Sequence, residues 1–194
     1  MSINLLTTVQ ENLGLPAIKK IDPNTQKVKV DDEGEKEFSL TQASLTSALA
    51  GIFNLAKSEE GLKTIGGKNI SENWAPLIFG DNAGEIVKNI AAYASVDVAR
   101  ATGSVNKIAG EAIRLIREKI PGEERQKEIR SLVSGQRDFI LPYLPAALGL
   151  GKLLDDNTLD DPTNKMEGPL SSLLHKIEKG FSGSETEEEA QKNK

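Results

Sequence analysis

The sequence predicts an all-α fold, an irregular bundle of about eight short helices. Three observations carry that expectation. Apolar residues recur three and four positions apart in segment after segment, the period of an amphipathic helix. Most of these segments open on Ser or Asp and close on Gly, the residues that favour helix caps. The only aromatics are five Phe, two Tyr and one Trp, so the core must be built from Leu, Ile, Val and Ala, as helix bundles commonly are. The many short capped segments point to orthogonal packing, since a four-helix bundle uses fewer and longer helices.

The elements follow in chain order. Ser2 can cap a first helix with Ile3, Leu5, Leu6, Val9 and Leu13 on its apolar side and Gly14 at its end. Residues 16–38 break this texture. A Pro23-Asn24 turn and an acidic patch flank the alternating stretch Lys27 to Val30, and the segment reads as an exposed insert loop with a little strand at most. Ser39 and Gln42 have capping-box spacing, and Leu45, Leu49, Ile52, Phe53 and Ala56 keep the helical period, which predicts a helix from Ser39. A short capped helix follows Ser58 and ends at Gly66-Gly67, another follows Ser71 and stops at Gly80. Asp81 caps the next, with Ile86, Val87, Ile90 and Ala94 as its stripe, and Ser95 opens a short turn reaching about Thr102.

Ser104 then caps a helix carrying Val105, Ile108, Ala112, Leu115 and Ile116, which Pro121-Gly122 breaks. A helix over 123–133 and one or two over 136–154 come next. Within Ser134–Leu154 the uncharged run from Phe139 to Gly151 invites a membrane or nucleotide reading. It is too short for a span of about 20 residues, and Pro142 and Pro145 divide it into short turns. We read Phe139, Ile140, Leu144, Leu148 and Leu150 as core. Residues 155–168 form a polar loop. The last helix has Pro169 in its first turn and Leu170, Leu173, Leu174 and Ile177 on one face. Residues 1–180 thus read as one helical domain, and 181–194 as a disordered acidic tail too polar to bury.

Composition narrows the function. There is no cysteine, which excludes disulfides and thiolate metal sites. The net charge is −5, and the richest basic region, Glu111–Asp138, mixes seven Lys or Arg with six Asp or Glu. That mixture is a solvated face with local ion pairs, not the one-sided basic patch that nucleic acid requires. The amino terminus has no basic and apolar leader pattern. The chain is expected to be soluble, cytoplasmic, free of membrane spans and without a nucleic-acid partner.

Four stretches occur in order: Ile3–Gly14, Ser44–Ile65, Ile78–Asp97 and Ser131–Gly149. With Phe79-Gly80, the Ser104 helix, Gly135-Gln136-Arg137 and Leu144-Pro145-Ala146, they resemble a bacterial family of unknown function, the one numbered 937, over about residues 3–150. The resemblance implies an all-α fold and a bacterial source, and it brings no catalytic residues. The acidic 24–37 insert, the charged Glu111, Arg114 and Arg117, and the 155–194 region depart from the family pattern. The Ser39 and Ser104 segments, each a small-residue-rich helix ending in Lys, read equally as a duplicated helical unit or as two unrelated amphipathic helices.

His175 is the only histidine, and Ser171, Ser172 and Ser182 lie near it in sequence, but Ser171 sits one turn away on the same helix, a packing relation and not a nucleophile elbow. One His and no Cys leave zinc without ligands. The phosphate-loop pattern fails twice. After Gly61 and Gly66, Gly67 replaces the lysine, and Gly151-Lys152 is followed by Leu153 with Ala146 where the first glycine belongs. Asp156, Thr158, Asp160, Asn164 and Glu167 take calcium-loop spacing, yet Asp161 stands where the turn requires glycine and Thr163 where an apolar residue is usual. No catalytic, cofactor or metal residue is assigned. The expected role is a non-enzymatic protein–protein interaction or scaffold module, with an unknown partner or self-association. The alternative is a helical carrier of an apolar or lipid-like ligand, and a hydrolase ranks last.

Overall fold

The computed structural model describes residues 3–21, 33–68, 71–121, 125–156 and Leu159. The described residues are all-α: α1 (Leu5–Asn12), α2 (Glu33–Leu55), α3 (Glu59–Gly66), α4 (Ala75–Phe79), α5 (Ala83–Ala94), α6 (Val98–Lys119), α7 (Gln126–Ser134) and the single turns α8 (Arg137–Ile140) and α9 (Leu150–Leu153). Short 3-10 turns at Gly80–Asn82, Leu141–Tyr143 and Ala146–Leu148 join them. The predicted fold class holds. No helix among the described residues is long and apolar enough to cross a membrane.

The bundle is built around α2. Every residue from Ser39 to Ile52 is buried, because α1, α4, α5, α6 and α8 all pack against it. A helix enclosed on all sides needs no polar face, yet this one carries Ser39, Thr41, Gln42, Ser44, Thr46 and Ser47 inside the core. Thr46 donates back to the Gln42 carbonyl at 2.7 Å. The hydroxyls of Ser39, Ser44 and Ser47 have no partner. A buried unpaired hydroxyl is unfavourable, and Ala is the better helix former. Ser44→Ala is therefore expected to stabilise the chain by about 1 kcal/mol, a rise of about 2–4 °C in Tm by calorimetry. A fall in Tm would show that this hydroxyl is bonded after all.

Several predicted boundaries move. α2 starts at Glu33, not Ser39, so Ser39 and Gln42 are interior residues and not a capping box. Acidic Glu33 and Glu35 in its first turn favour this start through the helix dipole. Arg100 adds to it from α6, reaching Glu33 at 2.8 Å and Glu37 at 2.7 Å. The 16–38 segment is thus not an exposed loop throughout. Residues 33–38 are helix, Leu15 and Ile18 pack on the core, and the Ile21 N–H donates to the Pro142 carbonyl at 2.9 Å. The Lys27–Val30 stretch lies outside the described residues.

Likewise, α6 runs unbroken from Val98, capped by Asp97, whose carboxylate accepts from the Arg100 N–H at 2.7 Å. Ser104 is inside it, and Ser95 is the left-handed residue that ends α5. Asn4 caps α1, Ser58 caps α3 as expected, and Trp74 occupies the cap position of α4. Phe139 is 40% exposed, so it does not fill the bundle, whereas Ile140, Leu144, Leu148 and Leu150 do. α2 is buried all round while α6 buries one stripe, so the two helices do not play equivalent roles.

Two buried glutamines tie the irregular segments to this frame. Gln42 accepts the Lys19 N–H at 3.0 Å, returns its amide to the Lys19 carbonyl at 3.0 Å, and donates also to the Tyr143 carbonyl. Gln136, 4% exposed, accepts the Leu5 N–H at 2.8 Å and donates to the carbonyls of Ile3 and Leu132 at 2.9 and 3.2 Å. Each side-chain amide pairs with backbone as a neighbouring strand would.

Candidate functional site: a groove over Trp74

A groove of about 900 Å³ opens between the end of α3, the start of α4 and the last turns of α6. Its floor is Trp74, Ile113 and Ile120, all buried. Its rim carries Lys68, Glu111, Arg114 and Arg117. Local chemistry places each part. Ser71 and Asn73 form a tight turn, with the Asn73 N–H donating to Ser71 Oγ at 3.1 Å. Asn106 then accepts the Ala75 N–H at 2.8 Å, fixing the chain that presents Trp74. Gly110 lets the indole lie against α6, since a Cβ there would stand 3.3 Å from Trp74 Nε1.

Arg117 covers the Trp74 ring at 5.7 Å and spends two donors on the end of α3, Nε to the Ile65 carbonyl at 2.7 Å and Nη2 to Thr64 at 3.1 Å. Cations at a helix C-terminus are stabilised by the dipole. Burial lowers the Arg117 pKa, and the arginine remains a cation. Arg114 holds Glu111 through two contacts of 2.8 Å and Glu118 through a third. Asn12 of α1 donates to Glu111 at 2.7 Å.

The Arg114 guanidinium, with help from Asn12, holds the Glu111 carboxyl below the usual glutamate range against its partial burial. Glu33 beside Arg100 is lowered too, as is Glu128, bonded to its own backbone N–H and to Arg125. Burial raises Tyr93. The three lowered carboxyls, Glu33, Glu111 and Glu128, move away from neutrality beside arginines, the signature of structural ion pairing and not of a tuned acid or base. Because the folded Glu111 carboxyl titrates below its unfolded value, its contribution is complete above the unfolded range near pH 4.3 and is lost as the pH falls through the folded pKa. Glu111→Gln should remove that part of the acid limb in a pH series of urea melts, at a cost under about 1 kcal/mol at pH 7 because Arg114 is exposed. An unchanged acid limb would rule this out.

The sequence-predicted sites are placed as follows. Gly61 lies in α3 with its N–H taken by the Ser58 cap at 2.9 Å, and the Gly67 N–H donates to the Lys63 carbonyl at 2.8 Å, so these amides serve the helix. Gly151, Lys152 and Leu153 are in α9 and Ala146 in a 3-10 turn. Asp156, first of the calcium spacing, is buried and pairs with Lys57 at 2.8 Å. Thr158, Asp160, Asn164 and Glu167 lie outside the described residues, as do His175, Ser171, Ser172 and Ser182. Among the described residues no three His, Asp or Glu side chains gather as a metal site.

The sequence places Glu111, Arg114 and Arg117 together on a solvated face. The first two are indeed a local pair, while Arg117 turns inward. Trp74 and Gly110 carried no signal, because a lone Trp and the Gly that admits it stand 36 positions apart. Comparison with family models, curated proteins and solved structures found no match.

Proposed function

We propose that this chain is a non-enzymatic helical module that works by protein–protein contact through the groove over Trp74. The observation that carries this reading is the groove's make-up: a buried Trp and two Ile on the floor, two Arg, a Lys and a Glu on the rim. Aromatic and Arg residues are enriched at protein interfaces, around a dry centre with a polar edge. The same volume lies within the range of small-molecule pockets, which keeps an apolar carrier as the second reading. The bacterial setting follows only from the resemblance of residues 3–150 to the family numbered 937.

The test uses the absence of native cysteine. Pro121, exposed at the groove, is replaced by Cys and coupled to a photo-crosslinker. A cross-link to polypeptide, whether from this chain or another, is the expected result. A cross-link to lipid transfers the groove to the carrier reading, and no adduct at all removes it as a contact surface.

A further inference from the structure

We infer that the groove over Trp74 receives an uncharged stretch of a partner polypeptide, one of whose backbone carbonyls accepts the Trp74 indole N–H. The proposal rests on the reading of the groove as a protein-contact surface and names the chemistry that the groove selects. Three observations on described residues carry it.

The first is an unanswered donor. An indole Nε1–H can only donate, and a buried tryptophan ordinarily finds an acceptor for it. Trp74 is 4% exposed, yet among the described residues its Nε1 has no acceptor. The polar contacts of the residue are the Arg117 guanidinium over the ring and its own carbonyl, which accepts the Leu77 and Ile78 N–H groups. Nor is the donor sealed inside the core. The described side-chain polar atoms enclosed without a partner are the hydroxyls of Ser39, Ser44 and Ser47, and Nε1 is not one of them. The N–H therefore reaches the surface at the edge of a ring that lines the groove.

The second is access. The Trp74 atom nearest Gly110 is Nε1, 3.3 Å from where a Cβ would stand. Gly110 lines the groove and lies inside α6, where Ala would be the better helix former. Its missing side chain leaves the N–H edge uncovered. Gly66 and Gly67 belong to the same lining. A visiting main chain can thus come close without a side chain in its way, the usual service of glycine beside a ligand.

The third is charge. The rim cations are already engaged: Arg114 with Glu111 and Glu118, Arg117 with the Ile65 and Thr64 carbonyls, and Lys68 with a partner of its own. An anionic occupant would find none of these cations unpaired and would face the Glu111 carboxylate. The floor of Trp74, Ile113 and Ile120 is apolar. A neutral donor on an apolar floor is matched by a neutral acceptor flanked by carbon, and the amide carbonyl is the one that every polypeptide repeats. A tryptophan in a dry centre ringed by paired polar groups is also where interface energy concentrates.

The full chain supplies its own reporter, because Trp74 is the only tryptophan. Its indole N–H gives a single cross-peak in a nitrogen–proton correlation spectrum, and the amides of Gly66, Gly67 and Gly110 report occupancy independently. The probe is acetyl-leucine N-methylamide, an apolar side chain between two neutral carbonyls. The expected result is a saturable downfield shift of the indole signal together with shifts of the glycine amides. Acetyl-leucine itself, the carboxylate analogue, should bind more weakly. Trp74→Phe keeps a ring and removes the donor, and should weaken binding about fivefold through the loss of one hydrogen bond. Undiminished binding in that variant overturns the proposal. Should the variant not fold, Gly110→Ala, which covers the N–H edge, decides by the same criterion. A spectrum that the probe does not move overturns the proposal too, as does tighter binding of acetyl-leucine. Tighter binding of N-methyloctanamide gives the site to the carrier reading instead. An indole shift that grows with protein concentration alone takes the groove from an outside partner and gives it to a second copy. If the indole signal stays still while the Pro121 cross-linker captures a polypeptide, the donor role fails and the contact-surface reading stands.

Discussion

Gly61→Ala is expected to cripple the fold, although the same change in most helices is stabilising. Ala exceeds Gly by about 1 kcal/mol in a helix interior, and Gly61 lies within α3. A Cβ at this position, however, would stand 1.8 Å from the Leu55 carbonyl oxygen and 2.9 Å from Leu55 Cδ1. The nearest obstacle is backbone, so no rotamer change can relieve it. The α2–α3 turn would have to open, and with it the Ser58 cap and the Lys57–Asp156 pair that are built on that turn. A loss of at least about 3 kcal/mol follows, at the upper end of overpacking costs. Gly84→Ala and Gly103→Ala are the controls, since nothing lies within 4 Å of a Cβ at either. They should be neutral or gain up to about 1 kcal/mol. Urea unfolding followed by circular dichroism orders the three variants, and a Gly61→Ala chain as stable as its controls would refute the close approach.

Gln136→Leu is expected to release α1 from the bundle. The substitution keeps the volume and removes three hydrogen bonds, leaving the Leu5 N–H and the Ile3 and Leu132 carbonyls without their partner. Leaving a buried backbone donor unsatisfied costs about 1–3 kcal/mol, and the lost bonds bring the total to about 2–4 kcal/mol. The effect should be local before it is global, because α1 is joined to the rest by its apolar face and by this one side chain, with Asn12–Glu111 at the surface. Hydrogen exchange at Leu5 and Leu6 should therefore accelerate more than exchange in α2. Uniform acceleration across both helices would mean that Gln136 supports the whole core and not the docking of α1. Gln42→Leu should act in the same way on residues 15–21 and on Tyr143.

How far the sequence reveals this molecule differs from element to element. The class and most helices are legible because burial of one face imposes a period, as in α5 and α6. Starts are less legible, since several residues compete for each cap. Ser104 is a good cap by type, yet Asp97 takes the role because the helix gains two further turns and Ala101 is buried with them. Ser39 loses its cap role for a related reason: Arg100 of α6 draws Glu33 and Glu37 into helix, and that long-range pairing has no local trace. Phe139 is apolar within an apolar run, yet the tight turns imposed around Pro142 rotate it outward while Ile140 goes in. The groove was the least legible feature. Its floor joins Trp74 to Ile113 and Ile120, and only the packing of α4 on α6 brings them together.

The enclosure of α2 has a consequence for how the molecule assembles. A rod whose every side is inward has nowhere to wait half covered: with any one neighbour missing, it shows water a strip of leucine and alanine, and with all missing it has no amphipathic design to hold it in shape. Stepwise accretion is disfavoured, and cutting the chain anywhere between α2 and α6 should leave two pieces that each fail alone and recover structure only when mixed.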